Sequence, residues 1–241
     1  MGVGPVLVVL AVAAGAFAQS ISGFGFSLIA TPACALLLGP WHGLRAAATM
    51  AVAVDGLVLA RERHDFDPVV LRRLVGPALA VVPAAIGLAL LAPGKLLLVT
   101  AATVTLAAVG LMATQQHRLA PPLPGGSRDW MWAGMASSAM GVTAGMAGPP
   151  VALQALRSGR PVTESRATLA AFFLVIDLAA VLTRGPMALD RSTIVLVAGG
   201  LAGYAAGGIA SHHVPDQVVR TAVLVLAAAA AIALLVQTGT T

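Results

Sequence analysis

Ten apolar stretches follow one another along this chain with only short polar connections, and that constrains the fold more than any motif. Within a few residues they are 3–21, 26–38, 44–60, 74–92, 96–115, 130–147, 149–157, 163–183, 192–211 and 217–237. A helix that crosses a bilayer needs about 20 apolar residues, and most of these stretches reach that length. Only 10% of the 241 residues are charged, against about 25% in a soluble domain. So few charges cannot coat a water-facing surface. An ordinary soluble domain, a disordered chain and a disulfide-built secreted module are all excluded. What fits is an all-α, polytopic integral membrane protein with membrane lipid as its surroundings.

The remaining bulk features agree. The formal charge of +5 comes from 14 Lys and Arg against 9 Asp and Glu. The positives sit in short loops between apolar runs, where they orient helices, so no nucleic-acid partner is expected. Cys34 is the single cysteine and reads as a small core residue, because one thiol forms neither an internal disulfide nor a cysteine-rich metal site. The run from Val3 to Phe17, followed by Ala16-Phe17-Ala18, imitates a signal peptide, but no Lys or Arg precedes it. It reads as a retained first helix.

Two stretches are too short to span: 26–38 and 149–157. Each follows a glycine cluster, Gly23-Phe24-Gly25 and Gly145-Met146-Ala147-Gly148, and each carries proline, Pro32 and the pair Pro149-Pro150. A shift of 122 residues lays Gly23 on Gly145 and Asp55 on Asp177, and a shift of 121 lays Arg45 on Arg166. Both halves then show the same order of features. A first repeat over 1–115, a connecting loop over 116–129 and a second repeat over 130–241 make up one membrane domain, with about eight full transmembrane helices and two short broken or re-entrant ones. Internal duplication is common in secondary transporters. If the short segments do not change sides, the positives divide almost evenly. If each short segment returns the chain, Arg45, Lys95, Arg184 and Arg191 share the side of the termini and all other positives lie opposite. That bias favours inverted repeats with both termini outside.

Chemistry is expected at the glycine breaks. An interrupted helix within hydrocarbon is tolerated only inside protein or beside water, and the half-helix that follows presents free N–H groups and a partial positive charge. Such ends hold anions in transporters. The candidate substrate-binding residues are Ser22, Gly23, Phe24, Gly25 and Ser27 at the first break, and Thr143, Gly145, Gly148, Pro149 and Pro150 at the second. Gln19, Ser20 and Thr31 add side-chain donors. Asp55 and Asp177 lie in apolar helices, where a carboxyl group is costly and marks function, and are candidates for proton coupling. Arg45 and Arg166, at helix starts after the short segments, are candidates for steering an anion. Arg184 lies seven residues past Asp177, about 10 Å along a helix and too far for a direct pair. Gly199, Gly203 and Gly207 read as a helix-packing stripe, His212-His213 as no metal pair, and Trp41, Trp130 and Trp132 as interfacial anchors.

Both break motifs carry a resemblance. Ser22-Gly23-Phe24-Gly25-Phe26 followed by Pro32, and Gly145-Met146-Ala147-Gly148-Pro149-Pro150 before a second basic loop, resemble the TauE/SafE sulfite-exporter family of membrane transporters. The second motif departs where family members often carry Gly-x-Gly-Gly, because Met146 and Ala147 interrupt it. The resemblance spans nearly the whole chain and implies transport of a small anion such as sulfite, a sulfonate or another organic acid.

The sequence therefore points to a secondary transporter of a small anion in the inner, cytoplasmic membrane, with no cofactor, no metal and a possible homo-oligomeric state. An anion channel of the same architecture, or a non-transport structural subunit, is the alternative. An intramembrane enzyme is not expected, since no Gly-x-Ser-x-Gly, His-Glu-x-x-His or buried nucleophile–base pair is present.

Overall fold

A computed structural model describes residues 3–116, 126–158, 162–188, 190–211 and 216–240. Among the described residues all regular structure is helical: α1 Val3–Ser22, α2 Phe26–Leu38, α3 Pro40–Glu62, α4 Pro68–Leu91, α5 Gly94–Gln116, α6 Ser127–Ala144, α7 Gly148–Ser158, α8 Val162–Arg184, α9 Arg191–Ala210 and α10 Asp216–Thr240. Six of these, α1, α3, α4, α5, α8 and α9, are long and apolar enough to cross a membrane, two fewer than the sequence suggested. The 18-residue α6 opens with Arg128 and Asp129 and carries Ser137 and Ser138, which lowers its mean hydropathy. In the 25-residue α10 the described apolar stretch is Leu224–Gly239. Positions 117–125 of the connecting loop, Arg118, Arg160 and the His212-His213 pair lie outside the described residues.

The first helix of each half packs on the fourth helix of the other, α1 on α9 and α6 on α4. Lipid chains provide no hydrophobic drive between helices, so close approach through small residues matters. Gly199, Gly203 and Gly207 do this on α9, where an added Cβ would strike Val9, Ala13 and Phe17 of α1. On the other pair Gly134 lies against the backbone of Leu74, and the Ser138 hydroxyl donates to the Ala78 carbonyl at 3.0 Å. The fourth helices start alike. The Asp67 carboxylate accepts from the N–H groups of Val69 (2.7 Å) and Val70 (3.1 Å), and the Asp190 carboxylate accepts from Thr193 N–H (2.9 Å). Each satisfies donors that helix geometry leaves free.

The two short helices fold back along their predecessors. Phe26, Ala30 and Cys34 of α2 share one apolar cluster with Val8, Val12 and Ala16 of α1. The Ser137 hydroxyl of α6 donates to the Ala147 carbonyl just ahead of α7. Glycines make these reversals possible: φ is +76° at Gly23, +142° at Gly25 and +73° at Gly145, values that a side chain opposes.

Helices α3 and α8 lie side by side and antiparallel. Arg45, near the start of α3, reaches Gly185 and Pro186 just past the end of α8. Arg166, near the start of α8, pairs with Glu62 at the end of α3. The tryptophans divide. Trp132 is 68% exposed and Trp41 37%, but Trp130 is 3% exposed and packs in the core, so it is no interfacial anchor.

Candidate functional site

Between the antiparallel α3 and α8, both helix breaks converge. Gly25, Phe26 and Ser27 at the start of α2, Ala147 and Gly148 at the start of α7, and Gln19, Asp55, Phe173 and Asp177 enclose one cavity of about 10 Å³. That is room for about one water molecule. Asp55 is 3% exposed and Asp177 7%. Their carboxyl groups lie within hydrogen-bonding reach of each other. Each aspartate stands seven residues before the last residue of its helix, about 10 Å along the axis, so the cavity is equally far from both ends of the α3–α8 pair.

Gln19 ties this centre to the first break. Its Nε2 donates to Asp55 Oδ1 at 2.7 Å, and its Oε1 accepts from the N–H of Phe26 at 3.2 Å. One side chain thus satisfies a buried carboxyl and the first amide of α2. The next amides of that turn, those of Ser27 and Leu28, have no acceptor within the helix by geometry alone. The second break offers fewer donors than the sequence suggested. Pro149 and Pro150 hold the first turn of α7 open but carry no N–H, so Gly148 supplies that turn's amide at the cavity.

The remaining sequence candidates are placed around this centre rather than in it. The Ser22 hydroxyl donates to the carbonyls of Ala18 (2.8 Å) and Phe24, which closes the turn around Gly23. The Thr143 hydroxyl donates to Ala139 at 2.6 Å, so it braces α6 and does not face the cavity. The Gly145 carbonyl accepts from the Thr31 hydroxyl at 2.8 Å, joining the two breaks. Pro149 and Pro150 also form the inner end of a wider cavity of about 610 Å³ between α5, α6 and α7. Gln154 and Arg157 line it, and the Gln154 Nε2 is buried with no partner among the described residues.

Neither arginine singled out from the sequence touches the cavity. Arg166 makes a two-pronged contact with Glu62 (2.7 and 3.2 Å), and its Nη1 donates to the carbonyls of Ser20 (3.1 Å) and Ile21 (3.4 Å) at the end of α1. Arg45 donates to the carbonyls of Gly185 (3.3 Å) and Pro186 (2.6 Å). A third arginine closes the second break. Arg184 is 8% exposed, and its Nη2 donates to the carbonyls of Val142 and Thr143 (3.1 Å) at the end of α6. Three residues were thus missed as site members: Gln19, named only as a spare donor, Glu62 and Arg184. Gln19 pairs with an aspartate 36 positions away, and no local pattern shows that. For the other two a signal exists, because the 122-residue offset that pairs the aspartates also pairs Glu62 with Arg184.

A family model described as "Sulfite exporter TauE/SafE" matches residues 7–234 of the chain. No match is found among curated proteins or solved structures.

Proposed function

The chain belongs to the sulfite exporter TauE/SafE family, a family of membrane transporters, and on that premise we propose that it is a secondary carrier of a small sulfur oxyanion or sulfonate. The observation that carries this reading is the convergence of two half-helix starts and two buried aspartates on one enclosed cavity. The amides at Ser27, Leu28 and Gly148 and the Ser27 hydroxyl are donors suited to oxyanion oxygens. Phe173 supplies an apolar wall.

The aspartates are the coupling element of the proposal. A carboxylate accepts hydrogen bonds and donates none, so two carboxyl groups bond to each other only while one carries a proton. An anion brought beside them favours the protonated pair, and its departure favours proton release. Binding of proton and anion is then linked, and linkage is reciprocal.

The same proposal treats 1–115 and 130–241 as inverted repeats that rock against each other in the cytoplasmic membrane, with both termini outside. The exchanged pairing of α1 with α9 and α6 with α4, the matching Asp67 and Asp190 caps, and the antiparallel α3 and α8 support it. The wide cavity ending at Pro149-Pro150 fits an access route from one side, with α7 as the moving wall.

Flux into proteoliposomes tests the reading. Sulfite, thiosulfate and sulfoacetate, with acetate and chloride as controls, are followed with and without an imposed pH gradient. Saturable flux of a sulfur anion that responds to the gradient and supports counterflow is the expected result. Fast, unsaturable conductance identifies a channel, and no flux from vesicles holding folded protein overturns the proposal.

A further inference from the structure

The ends of the α3–α8 pair are related by the same offset that relates the aspartates, yet the matched residues Glu62 and Arg184 carry opposite charges. At one end Glu62 neutralises Arg166, and Arg166 caps the Ser20 and Ile21 carbonyls of α1. A shift of 122 residues turns Glu62 into Arg184, and Ser20 and Ile21 into Val142 and Thr143. Arg184 does cap Val142 and Thr143. The arginine matching Arg166, Arg45, is also present, bonded to the carbonyls of the two residues that follow Arg184. This end therefore sets Arg184 and Arg45 where the other end pairs Arg166 with Glu62, with Arg61 and Asp65 close by.

Arg184 is the unbalanced member. It is 8% exposed, and its Nε and Nη1 have no partner among the described residues. The nearest opposite charge acting on it is Asp177, two turns back along α8 and bonded instead toward Asp55. Around it lie the neutral carbonyls of Val142 and Thr143, and Arg45 is bonded to the carbonyls of the two residues that follow it. A buried guanidinium with unused donors is costly unless an anion joins it. Carboxylate, sulfonate and sulfite oxygens match guanidinium donors in geometry and charge.

We propose that Arg184, with Arg45 beside it, forms a vestibular binding site for the transported oxyanion, about two helical turns from the central cavity, in the place that Glu62 fills at the opposite end. The site deepens the carrier reading above and rests on it. The anion docks at the Arg184 end, loses its water there, and passes the Gly145 break to the aspartate pair. At the Arg166 end the internal Glu62 carboxylate occupies the matching position, so no external anion is held there.

Equilibrium binding to the purified full chain in detergent, with sulfite and sulfoacetate as probes, tests this beside proteoliposome flux. Arg184→Gln is expected to weaken binding about ten- to a hundredfold, and Arg184→Lys less. Arg184→Glu is the control for folding, since it rebuilds with Arg45 the pair that Glu62 makes with Arg166. It is expected to stay monodisperse and to lose binding. Asp177→Asn is expected to keep the vestibular site. Unchanged affinity in folded Arg184→Glu, alongside saturable flux by the unsubstituted chain, overturns the vestibular site and leaves the carrier reading intact. Binding that depends on Arg184 without any flux overturns the carrier reading and keeps the site. No binding of either probe to the folded, unsubstituted chain overturns both.

Discussion

At the α1–α2 break the last carbonyls of α1 are held by Arg166, and Arg166 is neutralised by Glu62. At the α6–α7 break the last carbonyls of α6 are held by Arg184, and Arg45 holds the carbonyls of the two residues that follow Arg184. The first break also has Gln19 linking the half-helix to Asp55, whereas the 122-residue offset lays Gln19 on Gly141, which has no side chain to offer. The first break thus has its buried polar groups satisfied, partly by Arg166 of the other half, and among the described residues the second half leaves donors open at Arg184 and Gln154. The difference teaches that two similarly built breaks need not do one job. A break whose polar groups are satisfied makes a fixed support, and a break with open donors nearby is suited to meet a ligand.

Substitutions at matched positions sharpen or break this contrast. The largest effect is expected at the shared centre: Asp55→Asn and Asp177→Asn each remove the titrating proton, so gradient-driven accumulation in proteoliposomes falls to background, while exchange without a gradient persists. If one variant keeps gradient-driven uptake, coupling belongs to one half only. Next comes the neutralised end. Arg166→Leu removes the two-pronged partner of Glu62 and leaves it only the charge of Arg61, and chemical unfolding in detergent is expected to show a loss of about 3 kcal/mol. Arg45→Leu removes only bonds to carbonyls, and a loss of about 1–2 kcal/mol is expected in the same measurement. Equal losses would mean that Glu62 is not what distinguishes the ends.

Gln19→Leu deletes both links between Asp55 and α2, and about 1–3 kcal/mol of stability is expected to go with the unsatisfied partners. Gly141→Ala, at the matching position, removes no hydrogen bond, but its Cβ would press on Ile176 at 2.8 Å and Ala147 at 3.0 Å. A comparable loss is expected in the same denaturation series, from overpacking and not from unsatisfied partners. The smallest effect lies at Gly185, one of a contrasted pair of glycines with positive φ. A Cβ on Gly23 (φ +76°) would run into the Arg166 side chain and meet its Cα at 3.1 Å, whereas one on Gly185 (φ +79°) would touch only the Arg45 guanidinium, Nη2 at 3.5 Å. Gly185→Ala should cost only backbone strain, about 1–2 kcal/mol, and Gly23→Ala more, because it also displaces Arg166. Thermal unfolding of the two variants side by side checks the order.

Much of the fold was legible in sequence because a bilayer removes alternatives. Without water, a long apolar run must satisfy its backbone internally, so an apolar run of full length means a helix. The breaks were legible too, because Gly23, Gly25 and Gly145 take positive φ that other residues oppose. So was the packing stripe Gly199, Gly203 and Gly207, whose spacing of four puts bare backbone on one face. Trp130 misled because a position near a segment end predicts depth, not whether lipid or protein lies beside it.

What the sequence by itself determined is the helical membrane class, the places where helices break, and the few residue types able to do chemistry there. These follow from local physics: hydrocarbon forces helices, glycine permits reversal, and a charge in an apolar run is costly wherever the run lies. Which of those residues meet was decided only by the tertiary structure. Gln19 met Asp55 across 36 positions, Arg166 met Glu62 across more than a hundred, and Arg184 met the carbonyls of α6, because packing of α1 on α3, α3 on α8 and α6 on α8 brings distant positions together. Charge satisfaction is a property of neighbours in space, and no local spacing encodes it.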